Sequence, residues 1–143
     1  MIEVSNLSYT AGKARILHDI SLTIPQGGIT AIIGPNGAGK SSLLHCISGL
    51  LIPTGGQVRI DGLNPFTAPH RERAHAVALL QQSPRIATRL RVRELVSFGR
   101  WPHHAGRPGP DDIRLTDEAL ATFDLKPLAE RPLDTLSGGQ RQR

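Results

Sequence analysis

One stretch of eight residues, from Gly34 to Ser41, constrains the fold of this chain more than any other feature. It reads GPNGAGKS, which fits the phosphate-loop pattern G-x-x-x-x-G-K-[ST] without a mismatch. A β-branched apolar run at 29–33 precedes it, and apolar residues follow it at helical spacing, namely Leu43, Leu44, Ile47 and Leu50. A strand before the loop and a helix after it distinguish a phosphate loop from a chance match. The sequence therefore predicts an α/β fold built around a phosphate-binding loop.

The residue types in this loop suit a cluster of phosphate oxygens. Gly34, Gly37 and Gly39 can take positive φ, and they leave no Cβ between the backbone amides and the phosphates. A helix that begins near Lys40 directs its unpaired N–H groups and the positive end of its dipole at the same oxygens. We expect Lys40 to reach the β- and γ-phosphates and the Ser41 hydroxyl to ligate Mg²⁺. The alternative is a glycine-rich turn that caps a helix and binds no phosphate.

The predicted nucleotide contacts comprise the whole loop and one further residue, namely Gly34, Pro35, Asn36, Gly37, Ala38, Gly39, Lys40, Ser41 and Ser42. A nucleoside triphosphate with Mg²⁺ is the ligand that such a loop takes.

The composition argues against several other functions. The net charge is +5, but the basic residues are scattered, and aromatic residues make up only 3%, too few for a base-stacking platform. No basic leader with an apolar core begins the chain, and no apolar run approaches the roughly 18 residues of a membrane-spanning helix. The single cysteine, Cys46, is predicted to be a small buried hydrophobe. We therefore expect a cytoplasmic protein without a nucleic-acid partner.

Short strands are predicted in the first part of the chain, at 2–7, 16–24, 29–33, 57–60 and 76–80. The first of them alternates apolar and polar residues and suits an antiparallel arrangement. The runs at 29–33 and 76–80 are more continuously apolar, which suits buried parallel strands. A brief helix is predicted at 70–73.

Helical patterns dominate the later part of the chain. Val92, Leu95 and Val96 lie at helical spacing, and an exposed loop rich in proline and glycine is predicted over 101–112. Asp111 or Asp112 is expected to cap the next helix, whose apolar residues are Ile113, Ala119, Leu120 and Phe123.

A second glycine-rich stretch lies near the end of the chain, where Ser137 and two glycines stand at a predicted helix start. This pattern implies another anion site. Two anion sites so far apart in one chain are easier to explain if each belongs to a different nucleotide. Leu136 to Gln140 reads LSGGQ. On this motif and the phosphate loop, the sequence resembles the nucleotide-binding subunits of ABC transporters, and the resemblance covers the whole chain.

The resemblance implies a head-to-tail dimer in which the signature motif of one subunit closes over the nucleotide held by the other. The residues that would act across the dimer are Ser137, Gly138, Gly139 and Gln140. Tyr9 stands where the family places an aromatic residue that stacks on adenine, and the alternative is a strand residue that packs on its neighbours. Gln82 stands where a glutamine ligates Mg²⁺ and senses the membrane partner, and the choice between Gln82 and Gln81 is open.

The implied fold has an antiparallel β subdomain with a RecA-like core, the start of a helical subdomain and the signature motif, at 1–83, 84–136 and 137–143. The stretch 92–103 also looks like the region that follows the Q-loop in ATPases of iron-chelate importers, which take up ferric siderophores, haem or vitamin B12. Arg91 stands where these proteins commonly have a threonine helix cap. The implied partners are a second ATP-binding subunit, transmembrane permease subunits and, indirectly, a substrate-binding protein, at the cytoplasmic face of the membrane.

Past the signature motif, the family has a strand that ends in aspartate and glutamate, and then a histidine at the γ-phosphate. We expect no catalytic residue within this chain, an incomplete core sheet, no ATP hydrolysis by the chain alone, and a gene product of about 250 residues. The alternatives are a soluble ABC ATPase that acts on nucleic acid or ribosomes, and a remnant that only binds. The phosphate loop alone is also compatible with a P-loop kinase or GTPase, but the signature motif argues against both.

Overall fold

The structure, a computed structural model, describes residues 1–80 and 90–142 and divides into two units, Met1–Leu79 and Leu80–Arg143. A three-stranded antiparallel sheet organises the first unit. Its strands are β1 (Ile2–Ala11), β2 (Ala14–Ile24) and β3 (Gly55–Ile60), in the order β2-β1-β3. The alternating pattern at the start of β1 therefore predicts the antiparallel arrangement correctly.

The pairing of β1 with β2 is interrupted by three shifts of register. Asn6 is an extra residue in β1 and Asp19 one in β2, and both have positive φ, at 52° and 50°. The Asn6 side-chain amide donates to the Asp19 carboxylate at 2.8 Å. Asn and Asp tolerate this backbone region better than other residues with a Cβ. The third shift falls at Ile16, because Tyr9 pairs with Leu17 and Thr10 with Arg15.

Helix α1 (Lys40–Ile47) packs on this sheet and completes the core of the first unit. The buried residues are Val4, Leu7, Leu17, Leu43, Cys46, Ile47, Val58 and Ile60. Burial raises the pKa of the Cys46 thiol and keeps it protonated. Cys46 is thus a buried apolar side chain, as predicted. Leu44 and Leu50, by contrast, are 42% and 55% exposed.

Two predicted strands do not form. Residues 29–33 and 77–80 have no regular secondary structure, and Ile29, Ile33 and Leu80 are 100%, 92% and 88% exposed. A strand forms only where a neighbouring strand takes up its N–H and C=O groups. Within residues 1–80 and 90–142, neither segment pairs with such a neighbour. Helix α2 (His70–Ala76) also extends into the region predicted as the second of these strands.

The second unit is helical. It contains α3 (Val92–Phe98), α4 (Trp101–His104), α5 (Pro110–Thr122) and α6 (Gly138–Gln142), with single 3₁₀ turns at Lys126–Leu128 and Leu133–Thr135. Its buried residues are Val92, Leu120, Leu125, Ala129, Leu133 and Leu136. In the described part of the chain, the helices are too short or too polar to cross a membrane.

The helix starts in this unit differ from the predictions. The loop predicted at 101–112 is partly helical, and α5 begins at Pro110, whose fixed φ and missing N–H suit a first helical position. Asp112 accepts from the Gly109 N–H at 3.0 Å, so it acts from the third helical position and is not the cap itself. Glu94 similarly accepts from the Arg91 N–H at 2.7 Å, which compensates for the absent threonine.

Candidate phosphate-binding site

The phosphate loop leads directly into α1 through a left-handed glycine. Gly37 and Gly39 use the positive φ that glycine allows, at 84° and 87°, whereas Gly34 lies outside this region. No side chain caps α1, and its first turn carries no acidic residue. The first amides of α1 and the positive end of its dipole are therefore available to an anion.

The Lys40 side chain folds back over the loop. Its ammonium donates to the carbonyl oxygens of Gly34 at 2.7 Å and Pro35 at 2.6 Å, and Ala38 N–H donates to the same Pro35 oxygen at 3.3 Å. An ammonium has three donors, so one N–H of Lys40 remains for a phosphate oxygen. Lys40 thus braces the loop and places a positive charge beside it.

The remaining loop residues face solvent. Pro35, Asn36, Gly37, Ala38 and Ser41 are exposed, and Ser42 is half-buried. Ser41 is the second residue of α1 and presents an oxygen donor of the type that Mg²⁺ accepts. The residues present therefore fit a phosphate chain with its magnesium ion.

Gly39 lies directly against β2. A Cβ added at Gly39 would lie 2.9 Å from Leu17 Cδ2 and 3.2 Å from the Ile16 carbonyl oxygen. Neither Ile16 nor Leu17 is among the predicted site residues. No sequence signal identifies them, because their position depends on the register shift at Ile16.

Tyr9 lies on β1, in the same unit as the loop. It is half-buried and packs against the core that contains Leu17, its partner across the strand pair. Gln82, the predicted second magnesium ligand, and the alternative Gln81 lie outside the described residues.

The signature stretch begins α6 in the second unit. Ser137 Oγ accepts from the Gln140 N–H at 3.3 Å, and Gln140 Oε1 accepts from the Ser137 N–H at 3.1 Å. This reciprocal pair is a capping box, and it confirms the predicted helix start. Ser137, Gly138 and Gly139 are exposed.

The chain before Ser137 is held to α3 and to the two residues before it by backbone and ionic contacts. Leu133 N–H donates to Leu90 O at 2.8 Å, and Arg93 N–H donates to Ala129 O at 2.9 Å. The guanidinium groups of Arg91 and Arg93 lie 2.8 and 3.0 Å from the Glu130 carboxylate and hold its pKa below the usual range. The Gly109 N–H, followed by the Arg100 guanidinium, similarly lowers the pKa of Asp112.

The fold matches solved ATP-binding cassettes. Over 99% of this chain, the dimeric structure of MJ0796, a bacterial ABC transporter cassette, agrees with a TM-score of 0.86 at 27% identity, and 66% of that chain is covered. A post-hydrolysis state of the same cassette, bound to ADP and Pi, agrees with a TM-score of 0.84 at 26% identity. These likenesses define the fold class as that of the ABC ATPases.

The sequence comparisons agree with this class. The family model described as ABC transporter matches residues 17–143. The hemin import ATP-binding protein HmuV of Pseudomonas entomophila is 43% identical over 143 residues, which are 100% of this chain and 55% of that protein. The petrobactin import ATP-binding protein YclP of Bacillus subtilis is 41% identical over 100% of this chain and 57% of that protein. The chain therefore belongs to the ABC transporter family, and it spans about half the length of the curated relatives that it matches.

Proposed function

We propose that this chain is the nucleotide-binding part of an ATPase subunit of an importer for a ferric siderophore or a similar iron chelate. One observation carries the proposal. No side chain caps the start of α1, and the Lys40 ammonium is hydrogen-bonded to the adjoining loop. The importer class and its substrate rest on the relatives, which are named as import proteins for hemin, petrobactin and iron(3+)-hydroxamate. These names also favour import over action on nucleic acid or ribosomes.

In this proposal, residues of the first unit hold the nucleotide. The amides of Gly37, Gly39 and the first turn of α1 bind the phosphate oxygens, and Lys40 donates its third N–H to the β- and γ-phosphates. Ser41 and Gln82 would hold Mg²⁺, which neutralises charge on the phosphates when bound. Tyr9 stacks on the adenine.

The signature residues complete the site of a second subunit. Ser137 Oγ accepts one hydrogen bond within the capping box, so its O–H proton can be donated to a γ-phosphate of the partner's nucleotide. Gly138 and Gly139 leave the adjacent backbone accessible. ATP binding then closes the dimer and moves helices of a membrane permease, and hydrolysis reopens it. The proposed subdomain boundaries are 1–83, 84–136 and 137–143, and the division of contacts near residue 79 supports the first.

Nucleotide binding is tested with Lys40→Ala, measured by calorimetric titration of MgATP. Loss of charge-assisted contacts to the phosphates weakens binding by about 10- to 100-fold. Lys126→Ala is the matched control, because Lys126 is an exposed lysine of the second unit, and it leaves the affinity unchanged. Equal affinities for Lys40→Ala and the unmodified chain would refute the proposed site.

The transport assignment is tested by tagging the full-length gene product and isolating it from membranes. A multi-spanning permease copurifies if the protein is an importer subunit. Recovery with ribosomes or nucleic acid, and without a permease, contradicts the assignment to an importer but leaves the nucleotide site standing.

A further inference from the structure

The strand β2 contains one residue more than β1 beside the phosphate loop. Tyr9 pairs with Leu17 and Thr10 pairs with Arg15, so Ile16 has no residue opposite it. In a regular strand, successive side chains point to opposite faces of the sheet. A bulge changes this alternation, and bulges of this kind occur frequently next to active sites.

At the bulge, two successive residues, Ile16 and Leu17, both lie against Gly39. The three atoms nearest to an added Cβ at Gly39 are Leu17 Cδ2 at 2.9 Å, the Ile16 carbonyl oxygen at 3.2 Å and Ile16 Cγ2 at 3.3 Å. Real Cβ atoms essentially never approach another heavy atom closer than 3.0 Å. Ile16 and Leu17 thus form a close-fitting seat for Gly39, and at least one of them must shift to accommodate an alanine at position 39.

The contact is confined to one end of the loop. A Cβ added at Gly37 would meet nothing within 4 Å, although Gly37 has nearly the same φ as Gly39. The tip of the loop is therefore sterically free, whereas its junction with α1 rests on β2. The position of this junction sets where the first amides of α1 stand.

Leu17 is the buried member of the seat, whereas Ile16 is half-buried. Leu17 is 3% exposed and belongs to the core that also contains Leu43 of α1. Paired residues of antiparallel strands lie on the same face of the sheet, so Leu17 also neighbours Tyr9. Leu17 therefore lies between the residue proposed for the base and the loop proposed for the phosphates.

We propose that the bulge at Ile16 is the seat of the phosphate loop and that Leu17 is a positioning residue for nucleotide binding. Leu17 fixes the distance of Gly39 from β2, and this distance sets the affinity of the loop for a triphosphate chain. The inference rests on the proposed function, because it assumes that the loop binds phosphates. It goes beyond that function by adding Leu17, a residue that positions the loop without touching the nucleotide.

The test is a double-mutant cycle of Leu17→Ala and Gly39→Ala in the full chain, with inorganic triphosphate and MgATP as probes. Gly39→Ala weakens the binding of both probes at least tenfold, and Leu17→Ala alone weakens it about three- to tenfold. The double variant binds at least threefold better than Gly39→Ala, because the closest contact of the new Cβ has been removed. The rescue is incomplete, since the Ile16 carbonyl and the φ of 87° at Gly39 remain.

Val58→Ala is the matched control, because Val58 is 0% exposed in the same core but lies on β3. Combined with Gly39→Ala, it brings no rescue, and Leu17→Met alone preserves the affinity for both probes. Equal effects of Leu17→Ala and Val58→Ala in the cycle would overturn the seat and indicate general core destabilisation. Failure of Lys40→Ala to weaken binding would instead contradict the proposed function, so the two failures are distinguishable.

Discussion

Two short helices of this protein begin at glycine-rich motifs, and their starts are built in opposite ways. Helix α1 follows a left-handed Gly39 and has no side-chain cap. Helix α6 follows Ser137, which forms a capping box with Gln140. Both motifs carry small residues, but only in the second motif do side chains of the motif accept from its backbone amides.

The difference teaches what each motif offers to a phosphate. The open amides of α1 suit a ligand that replaces the missing cap. At α6 the Ser137 oxygen accepts from an amide of its own helix, so the motif offers the hydroxyl proton instead. The first helix start therefore leaves its amides open to a ligand, whereas the second pairs an amide with a side chain of its own motif.

The largest expected difference concerns the two glycines at these starts. Gly39→Ala places a Cβ 2.9 Å from Leu17 and strains a φ of 87°, which costs about 2 to 4 kcal/mol in the free energy of unfolding. Gly138→Ala meets nothing within 4 Å and lies outside the positive-φ region, so stability changes by at most about 1 kcal/mol. Urea denaturation of both variants measures this contrast, and equal losses would remove the steric distinction.

A smaller effect is expected from the two serines. Ser137→Ala removes the cap of α6 and costs about 1 kcal/mol of local stability, whereas Ser41→Ala removes no cap from α1. Hydrogen exchange of the amides in the first turn of each helix measures the effect. Faster exchange in α1 of Ser41→Ala, as large as that in α6 of Ser137→Ala, would contradict the contrast.

The smallest effect is a dependence of the stability of the second unit on pH. The pKa values of Asp112 and Glu130 are lowered in the folded protein, so their contribution to stability is complete above the unfolded values of about 3.9 and 4.3. It is lost as the pH falls through the lower folded values. Trp101, the single tryptophan, reports unfolding of this unit by fluorescence. In the double variant Asp112→Asn with Glu130→Gln, stability falls less steeply at acid pH than in the unmodified protein. An unchanged fall in stability would refute the assignment of this pH dependence to Asp112 and Glu130.

The sequence predicts the elements whose cause is local. The alternation in β1, the glycine-to-helix transition at Lys40 and the serine before α6 each act over a few neighbouring residues. The sequence pattern predicts strands at 29–33 and 76–80, and neither forms, because a strand depends on partners that the local pattern does not specify. The bulge at Ile16 is also invisible in the sequence, since it exists only in the pairing of two strands.

Of the candidate site, the glycine conformations at 37 and 39 are predicted correctly from the motif, because backbone amides reach a phosphate only where no Cβ intervenes. The seat under Gly39 is not predictable in this way. The roles of Tyr9, Gln82 and the signature residues stay predictions until a nucleotide is bound.

The exposed isoleucines before the phosphate loop have a consequence for the affinity of the loop for nucleotide. Ile29 and Ile33 are exposed and precede the loop, whereas the junction with α1 follows it. A binding loop that becomes more ordered when it binds a ligand loses conformational freedom, and this loss subtracts from the gain of each contact. Any neighbour that covers these two isoleucines would therefore tighten nucleotide binding by preorganisation, without making a contact to the nucleotide.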